Sequence, residues 1–392
     1  MNEPNWGRLF HAYGLATDTP AHLLNLSSKD EQCRKEAVLH LLNTVIHQGT
    51  IYPATPAVMR WITELLRDTS QRTSCKSEIP CLGQILSFIG YAGESLNEIY
   101  LPKDISIPTE EELDEFFLLF AEDEEGEDVW CSPLIDFLMI RGIRELGAMG
   151  DEVLEAIIPF VKEENRGLQA AAVDAVGEWA FAIEQGIQYQ AAHEAIKEKL
   201  AGAKSRDERA GLVLAMGRMG GDVSEYLVDP DKAVQACAAL FVASPLADSI
   251  LISALCYPDQ IEEWFDLCPH YFNDKIRYFL LGRLISRKVT IEQMLPAALA
   301  VMAVSTAMCA DHDWGRILKV TFPEAVYSPG CPPALADKLT KAQREVLLAM
   351  VANQELWNPR SGNARIARLA VGLPNDRDEV AAYIRSTPVT DA

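Results

Sequence analysis

A pattern of small residues that recurs along the chain constrains the fold more than any other feature. A polar residue is followed four positions later by Arg or Gln, then by small residues at helical spacing and by glycine. The two best copies run from Asn165 to Gly177 and from Ser205 to Gly217. Small residues at every third or fourth position share one helix face and let a neighbouring helix approach closely. The pattern therefore predicts stacked pairs of helices, with the glycines ending helices and allowing tight reversals.

Weaker copies extend this pattern in both directions. One copy begins at Asp231 and ends at Ala243, and the segment from Asp30 to Ala37 repeats the first half. The second half recurs at 88–94 and 145–151. The intervals between copies are unequal, which is typical of degenerate repeats, some of them with a short second helix.

These segments resemble the HEAT-repeat family, whose consensus is close to D-x-x-V-R-x-x-A-x-x-A-L-G-x-x-G-D. The resemblance is best over 130–250, weaker over 28–95 and weakest beyond 250. It implies an all-α fold, specifically an α-α superhelix or solenoid of degenerate HEAT-like helical repeats. We mark N-terminal repeats at 1–105, central repeats with an acidic loop at 106–245, and divergent repeats with a cap at 246–392, expected to form one continuous solenoid. HEAT consensus residues are structural, so the resemblance implies little chemistry.

The N-terminal segment also resembles one set of bacterial HEAT-repeat proteins. The matching residues are Trp6, Gly7, Leu9, His11, Ala12, Tyr13, Gly14, Asp18, Pro20, His47, Gln48, Gly49, Thr50, Ile51, Tyr52, Ala54 and Thr55. Helical-repeat proteins of this general kind occur as immunity proteins beside bacterial polymorphic toxins. The resemblance thus implies a cytosolic bacterial immunity protein that binds and neutralises a toxin.

Local signals favour helices throughout. Alternating Val, Ile and Thr runs and Asn-Gly or Asp-Gly hairpin turns are nearly absent, so strands are not expected. Thr19-Pro20 and Thr55-Pro56 read as helix starts, and Ser28 with Glu31 reads as a capping box opening a helix through Leu42. The three glutamates after Thr109 suit the positive end of a helix dipole. Helix stops are predicted at Gly150, Gly221 and Gly330.

The segment HQGTIYPATP, residues 47–56, contains the residues that most resemble an active site. A base and an acid could be supplied by His47 and Tyr52, but the loop offers no carboxylate partner. A structural interpretation explains more residues: His47 and Gly49 end a helix, Tyr52 anchors the loop, and Thr55-Pro56 begins the next helix. A surface contacted by a partner is the third interpretation of His47 and Tyr52.

Charge and cysteine content exclude several classes of function. The net charge of −22 disfavours nucleic acid and anionic membranes, since both are bound mainly through Lys and Arg. The nine cysteines are scattered without a C-x-x-C pair, which suits a reducing cytoplasm better than a disulfide framework. The first residues lack a secretory signal pattern. The apolar stretch from Met294 to Ala310 is short and Ala-rich, so we expect a buried helix rather than a membrane span.

An acidic run from Glu110 to Asp128 is the sharpest local feature, with eleven carboxylates and no Lys or Arg. Within it, residues 116–120 (FFLLF) are expected to form the buried side of a helix, followed by an exposed acidic loop. That loop is either a solvated charged segment or a surface that meets a basic partner. Calcium is disfavoured because the D-x-D-x-D-G pattern is absent. The partner-binding candidates here are Glu122, Asp123, Glu124, Glu125, Glu127 and Asp128.

The remaining polar motifs do not predict a cofactor or a metal site. His11, His40 and His47 could supply three zinc ligands, but His40 and His47 lie about two helical turns, roughly 10 Å, apart if helical. The segments 268–270 and 311–313 read as loop or capping residues. Tyr327 begins a loop. Its side chain either contacts a partner or belongs to a C-terminal cap.

Together these observations favour a non-enzymatic protein that binds a protein partner, most specifically an immunity protein for a basic toxin. One alternative is a HEAT-repeat scaffold or assembly factor without a toxin. The other is a HEAT-like enzyme of glycosylase or lyase type, which acidity and the missing catalytic constellation disfavour. No catalytic residue, cofactor or metal is expected, and the oligomeric state stays open.

Overall fold

The computed structural model describes residues 4–71, 81–97, 106–122, 127–182, 186–272, 275–327 and 333–390. Helices dominate these residues, and the strands among them are two residues long. The prediction of an all-α fold is confirmed. The chain divides into two compact units, 1–221 and 222–392.

The first unit contains eleven α-helices and two short hairpins among its described residues. Its α-helices are α1 Thr19–Asn25, α2 Glu31–His40, α3 Thr55–Gln71, α4 Leu82–Asn97, α5 Glu110–Glu122, α6 Glu127–Trp130, α7 Pro133–Ala148, α8 Gly150–Ile157, α9 Arg166–Ala182, α10 Ile187–Gly202 and α11 Arg206–Arg218. Its strands are β1 Phe10–His11, β2 Gly14–Leu15, β3 Ile46–His47 and β4 Thr50–Ile51. The strands pair antiparallel, β1 with β2 and β3 with β4.

The second unit is also helical and carries one pair of parallel strands in its described part. Its α-helices are α12 Lys232–Ala239, α13 Pro245–Leu255, α14 Pro258–Ile261, α15 Ile276–Ser286, α16 Ile291–Val304, α17 Trp314–Thr321, α18 Lys341–Ala352, α19 Gly362–Leu369 and α20 Arg377–Ser386. The strands are β5 Leu339–Thr340 and β6 Val389–Thr390. Helix α16 buries Met294, Val301 and Met302, so the expected buried helix is confirmed up to Val304; beyond it lies a 3-10 turn, Ala307–Cys309, in which Met308 is exposed. Across the described residues, no helix combines the length and the apolar character that crossing a bilayer requires.

The segment HQGT forms a β-hairpin, so the predicted helix end at His47 is wrong. Helix α2 ends at His40. A π-helical turn, Leu41–Val45, follows it and leads into β3. Gln48 and Gly49 both have positive φ angles, 51° and 78°, as a two-residue type I′ turn requires. The sequence signal was missed because glutamine is an unusual first residue for this turn.

The predicted helix start at Thr55 is confirmed, and Thr55 also fastens the hairpin. Its hydroxyl accepts a hydrogen bond from the Tyr52 amide at 3.0 Å and donates one to the Val45 carbonyl at 2.8 Å. One side chain therefore joins the entry and the exit of the hairpin to the first turn of α3.

The other predicted helix boundaries have mixed outcomes. The cap of α2 is Asp30, which accepts from the Gln32 amide at 2.8 Å; the predicted cap, Ser28, instead accepts from the Asp30 amide. Thr109 and Glu112 form a reciprocal capping pair that opens α5. A helix junction lies at Gly150 and a helix end just before Gly221, as predicted. The predicted stop at Gly330 lies outside the described residues.

Glycines of the repeated pattern lie inside helices, so the expectation that Gly177 ends a helix is wrong. A Cβ atom at Gly177 of α9 would lie 3.1 Å from the Ala215 Cα of α11. A Cβ atom at Gly93 of α4 would lie 2.9 Å from Cδ1 of Trp179. Trp179 is fully buried and donates from its ring N–H to the Ile89 carbonyl at 2.7 Å. These glycines therefore allow α4, α9 and α11 to pack at close range.

We predict opposite effects of Gly→Ala at two helical positions. Gly93→Ala should destabilise the protein by about 1–3 kcal/mol, because the methyl group has no space beside Trp179. Gly211→Ala, where no atom lies within 4 Å of the added carbon, should stabilise it by about 0.5–1 kcal/mol through helix propensity. Denaturant unfolding of both variants measures the difference. Equal effects of the two substitutions would contradict the packing role of Gly93.

Candidate functional site

Helix α5 buries one face and exposes an acidic face that includes two leucines. Its buried residues are Leu113, Phe116, Phe117 and Phe120. They belong to a core that also contains Phe10, Tyr52, Val129, Ile135 and Leu138. The prediction that residues 116–120 (FFLLF) are all buried is wrong for Leu118 and Leu119, which are 66% and 59% exposed.

The first turn of α5 is fixed by ion pairing and capping. Arg8 lies 3.2 Å from a Glu110 oxygen and 3.1 Å from an Asp114 oxygen. The guanidinium carbon of Arg8 also lies 5.7 Å from the centre of the Phe117 ring. At the helix start, hydrogen bonds from the amide and hydroxyl of Thr109 lower the pKa of Glu112. These contacts hold the N-terminal half of α5 on the segment before β1.

The outer side of α5 carries a stripe that we call the α5 outer stripe. Its five residues recur at helical spacing and are all exposed: Glu111, Glu115, Leu118, Leu119 and Glu122. Three carboxylates therefore surround two exposed leucines. Apolar side chains with a charged rim are the usual composition of a protein-binding surface.

The structure places the predicted partner-binding residues in several locations. Glu122 ends α5 within the outer stripe. Asp123, Glu124 and Glu125 lie outside the described residues. The backbones of Glu127 and Asp128 begin α6. Tyr327 belongs to the second unit, where it follows α17 and is 47% exposed.

The side chains of His47 and Tyr52 have separate roles in the hairpin region. His47 Nδ1 lies 2.9 Å from the Asn43 carbonyl oxygen and 3.5 Å from the Tyr13 hydroxyl. Tyr52 is only 9% exposed, and its ring packs edge-on to Phe10 with centroids 6.4 Å apart. Burial raises the pKa of the Tyr52 hydroxyl. Tyr52 therefore anchors the hairpin to the core beneath α5.

A polar cluster between β1 and α2 contains two of the three histidines considered as zinc ligands, His11 and His40, together with Asp18, which was not a candidate. His11 Nε2 lies 2.9 Å from Asp18 Oδ1, and His40 Nδ1 lies 3.9 Å from Asp18 Oδ2. Both histidines are buried, whereas the Asp18 side chain is about half exposed. His40 Nε2 contacts the Thr19 hydroxyl at 2.9 Å. We call His11, Asp18 and His40 the histidine–aspartate cluster.

The electrostatics of the histidine–aspartate cluster keep His40 neutral at pH 7. Burial and the neighbouring His22 lower the pKa of His40 to about 4, against the opposing effect of Asp18. Burial alone would raise the pKa of Asp18, but the His11 hydrogen bond and the two histidines lower it overall. His47, the third histidine considered, lies outside this cluster because the α-helix ends at His40 and does not continue through His47.

A second cluster, which was not predicted from the sequence, lies where α4, α9 and α11 meet. Glu178 is buried, 2.6 Å from the Arg218 guanidinium, and accepts from the Asn97 amide at 3.2 Å. Asp174 lies one turn earlier on α9. Burial raises the pKa of Asp174 to about 7 and that of Glu178 to about 8, although Arg218 opposes both shifts. The available signal was the pair of acids at i and i+4 on the small-residue face of α9.

Comparisons with known proteins add no family assignment. No protein-family model matches the chain, and comparison with characterised proteins and with solved structures gives no match either.

We predict that the unfolding free energy of the Glu178→Gln variant increases, relative to that of the wild type, as pH rises. The folded pKa of Glu178, about 8, exceeds its ordinary value of 4.5, so the folded state binds more protons between these values. Wild-type stability from this group is therefore lost as pH rises through that window, and glutamine cannot titrate. The difference in unfolding free energy should grow by on the order of 3 kcal/mol from pH 5 to pH 8.

Urea unfolding of the wild type and of Glu178→Gln at both pH values tests this prediction. The same substitution at the exposed Glu152 of α8 controls for loss of a charge. An advantage of Glu178→Gln that is equal at pH 5 and pH 8 would show that Glu178 is not protonated in the folded state at pH 5.

Proposed function

We propose that the protein binds a basic protein partner through the α5 outer stripe. We further propose that its helices form a degenerate HEAT-like solenoid and that it acts in the cytoplasm as a bacterial immunity protein. In this role it would neutralise a cationic toxin by covering the toxin's active site. The exposed leucines of the α5 outer stripe, set among carboxylates, carry the proposal.

The composition of the α5 outer stripe supports an occupant with positive charge and some apolar surface. Leu118 and Leu119 are among the large apolar side chains exposed in the first unit. Glu111, Glu115 and Glu122 lie beside them on the same side of the helix. Water contacts these leucines in the free protein. A partner that covers them removes apolar surface from water, which contributes to affinity. The surrounding carboxylates would select and orient a basic partner.

Charge beyond the α5 outer stripe favours the same occupant. The sequence continues from Glu122 through Asp123, Glu124 and Glu125 without a basic residue. The whole chain carries a net charge of −22. Long-range attraction of this kind accelerates encounter with a cationic protein, and the effect weakens as salt is added.

Support for the solenoid comes from the way the repeated pattern packs. The copy in α9 packs against α4 at Gly90 and Gly93 and against α11 at Gly177. Small residues of the copies in α4, α9 and α11 therefore mediate contacts between neighbouring helices, as small residues do where the helices of repeat proteins stack.

The probe for a partner is the polypeptide encoded beside the gene for this chain, expressed in a test host. The immunity proposal expects that this polypeptide arrests growth and that co-expression of the present protein restores growth. A neighbouring polypeptide that is harmless, or whose toxicity the protein does not relieve, would contradict the immunity role.

We predict that neutralising the stripe weakens binding to that polypeptide. The triple variant Glu111→Gln, Glu115→Gln, Glu122→Gln should bind about tenfold or more weakly at low salt and show a shallower salt dependence, because the attractive charges are removed. Titration calorimetry at several salt concentrations measures both. The control that also removes three charges is Glu292→Gln with Glu324→Gln and Glu355→Gln, three exposed glutamates of the second unit. Equal affinity of the triple variant and the control would exclude the stripe as the binding surface.

We predict that the two leucines contribute to affinity and little to stability. Leu118→Ser with Leu119→Ser should weaken binding by about tenfold or more, because the partner then removes less apolar surface from water, at about 25 cal/mol per Å². The unfolding free energy should change by less than about 1 kcal/mol, since both side chains are mostly exposed. Leu246→Ser on α13, 51% exposed, is the control for adding a polar group. Wild-type affinity in the double variant would contradict the proposal.

A further inference from the structure

We propose that the histidine–aspartate cluster binds one divalent transition-metal ion, with zinc as the preferred occupant. One ligand atom from each of His11, Asp18 and His40 lies within 4.8 Å of the others. Two imidazoles and a carboxylate are a ligand set that suits zinc, and a water molecule would complete a four-coordinate site. This inference does not depend on the proposed partner or on the α5 outer stripe.

The distances in the histidine–aspartate cluster are close to those that a metal requires. Zinc lies about 2.0–2.2 Å from nitrogen and oxygen ligands, so neighbouring ligand atoms in a tetrahedral site are roughly 3.3–3.5 Å apart. The contact between His11 Nε2 and Asp18 Oδ1 is 2.9 Å, and that between His40 Nδ1 and Asp18 Oδ2 is 3.9 Å. Both contacts therefore differ from the tetrahedral spacing by roughly 0.5 Å.

One ring nitrogen of His40, Nδ1, lies near the Asp18 carboxylate but too far away for a hydrogen bond. His40 Nε2 is engaged by the Thr19 hydroxyl at 2.9 Å. When this nitrogen carries the proton and donates it to Thr19, Nδ1 presents a lone pair to Asp18 Oδ2 at 3.9 Å, too far for a hydrogen bond. Two electron-rich atoms facing each other are stabilised by a cation between them. The Thr19 hydroxyl then orients the ligand ring, as outer partners do in metal sites.

His22 supplies an independent indication that the polar network is incomplete. Its ring stacks on His40 with centroids 4.2 Å apart and an interplanar angle of 10°. Its Nδ1 atom is buried and has no hydrogen-bond partner among the described residues. Buried polar atoms are nearly always satisfied, so an unsatisfied one beside a ligand set is consistent with a missing ion or its bound water.

Access and protonation set the conditions for binding. The histidine side chains are each 5% exposed, whereas that of Asp18 is 53% exposed, so an ion would enter from the side of Asp18. In the metal-free protein His11 Nδ1 accepts from the Tyr13 amide at 3.3 Å, so Nε2 carries the proton and donates it to Asp18. Binding of an ion through Nε2 requires the other tautomer of His11, in which the proton has moved from Nε2 to Nδ1 and the contact from the Tyr13 amide is given up.

The bound ion would connect the N-terminal strand to the first long helix. His11 lies on β1, Asp18 ends the 3-10 turn that precedes α1, and His40 ends α2. These three positions are brought together at one point in the first unit. We therefore assign the ion a structural role, holding β1 and the start of α1 against α2.

Zinc binding to the full chain, treated first with chelator, tests the proposal. Competition with a chromophoric chelator should show one site of about micromolar affinity or better. Asp18→Asn and His40→Gln should each weaken binding by about tenfold to 100-fold or more, the range found when even outer partners of a metal site are changed. His47→Gln, in the adjacent hairpin and outside the cluster, is the matched control and should bind as the wild type does.

Cobalt replaces zinc in a second measurement that separates this site from cysteine ligation. Cobalt bound by nitrogen and oxygen ligands should give visible bands without a thiolate charge-transfer band. Thermal unfolding adds a readout for variants that fold less well: zinc should raise the midpoint of the wild type and of His47→Gln, but not that of Asp18→Asn. Wild-type zinc affinity in both cluster variants, a thiolate band with cobalt, or no zinc bound by the wild type would overturn the proposal.

Discussion

The close packing of α4, α9 and α11 is the constraint on which the rest of the first unit depends. Glycines at the crossings bring the helix backbones together, and Trp179 of α9 then reaches the Ile89 carbonyl of α4. The same approach encloses Glu178 between the helices, with Arg218 and Asn97 as its partners. A carboxylate this deeply buried favours its protonated form, because ionisation in a poorly solvated site is costly. Tight packing and the raised pKa values of Asp174 and Glu178 thus have one cause.

The N-terminal region depends on a different interaction, the burial of Phe10. Its ring packs edge-on against Phe120 and Trp130, with centroids 5.4 Å away in each case. Helix α5 therefore rests on β1, on Tyr52 and on the start of α7. Because the buried aromatic residues fix this helix, its outer leucines are held in the solvent. Because the backbone of α5 is already fixed, little backbone entropy is lost when a partner covers Leu118 and Leu119.

The sequence predicted the helices well where periodicity was strong and the local chemistry was simple. Thr55-Pro56 and the acidic first turn of α5 were identified because each carries its own start signal. Gly177 was misread because glycine serves both as a helix end and as a site of close approach, and only the neighbouring helix decides between them. His11 and His40 were considered as zinc ligands from the sequence, but Asp18 could not be predicted as their partner, since the three residues meet through turns that the sequence does not mark. The leucines of α5 were assigned to the core because hydrophobicity alone does not show which face is covered.

One short strand connects the two candidate sites. Successive side chains of a strand point to opposite faces, so Phe10 enters the aromatic core beneath α5 while His11 enters the histidine–aspartate cluster. A change that moves the backbone at His11 therefore also moves Phe10, the adjacent residue of β1. Since Phe10 supports Phe120, and Phe120 lies on the buried side of the helix that presents Leu118 and Leu119, order in the cluster supports order in the α5 outer stripe. The small hairpins, which the repeat pattern did not predict, thus position both sites.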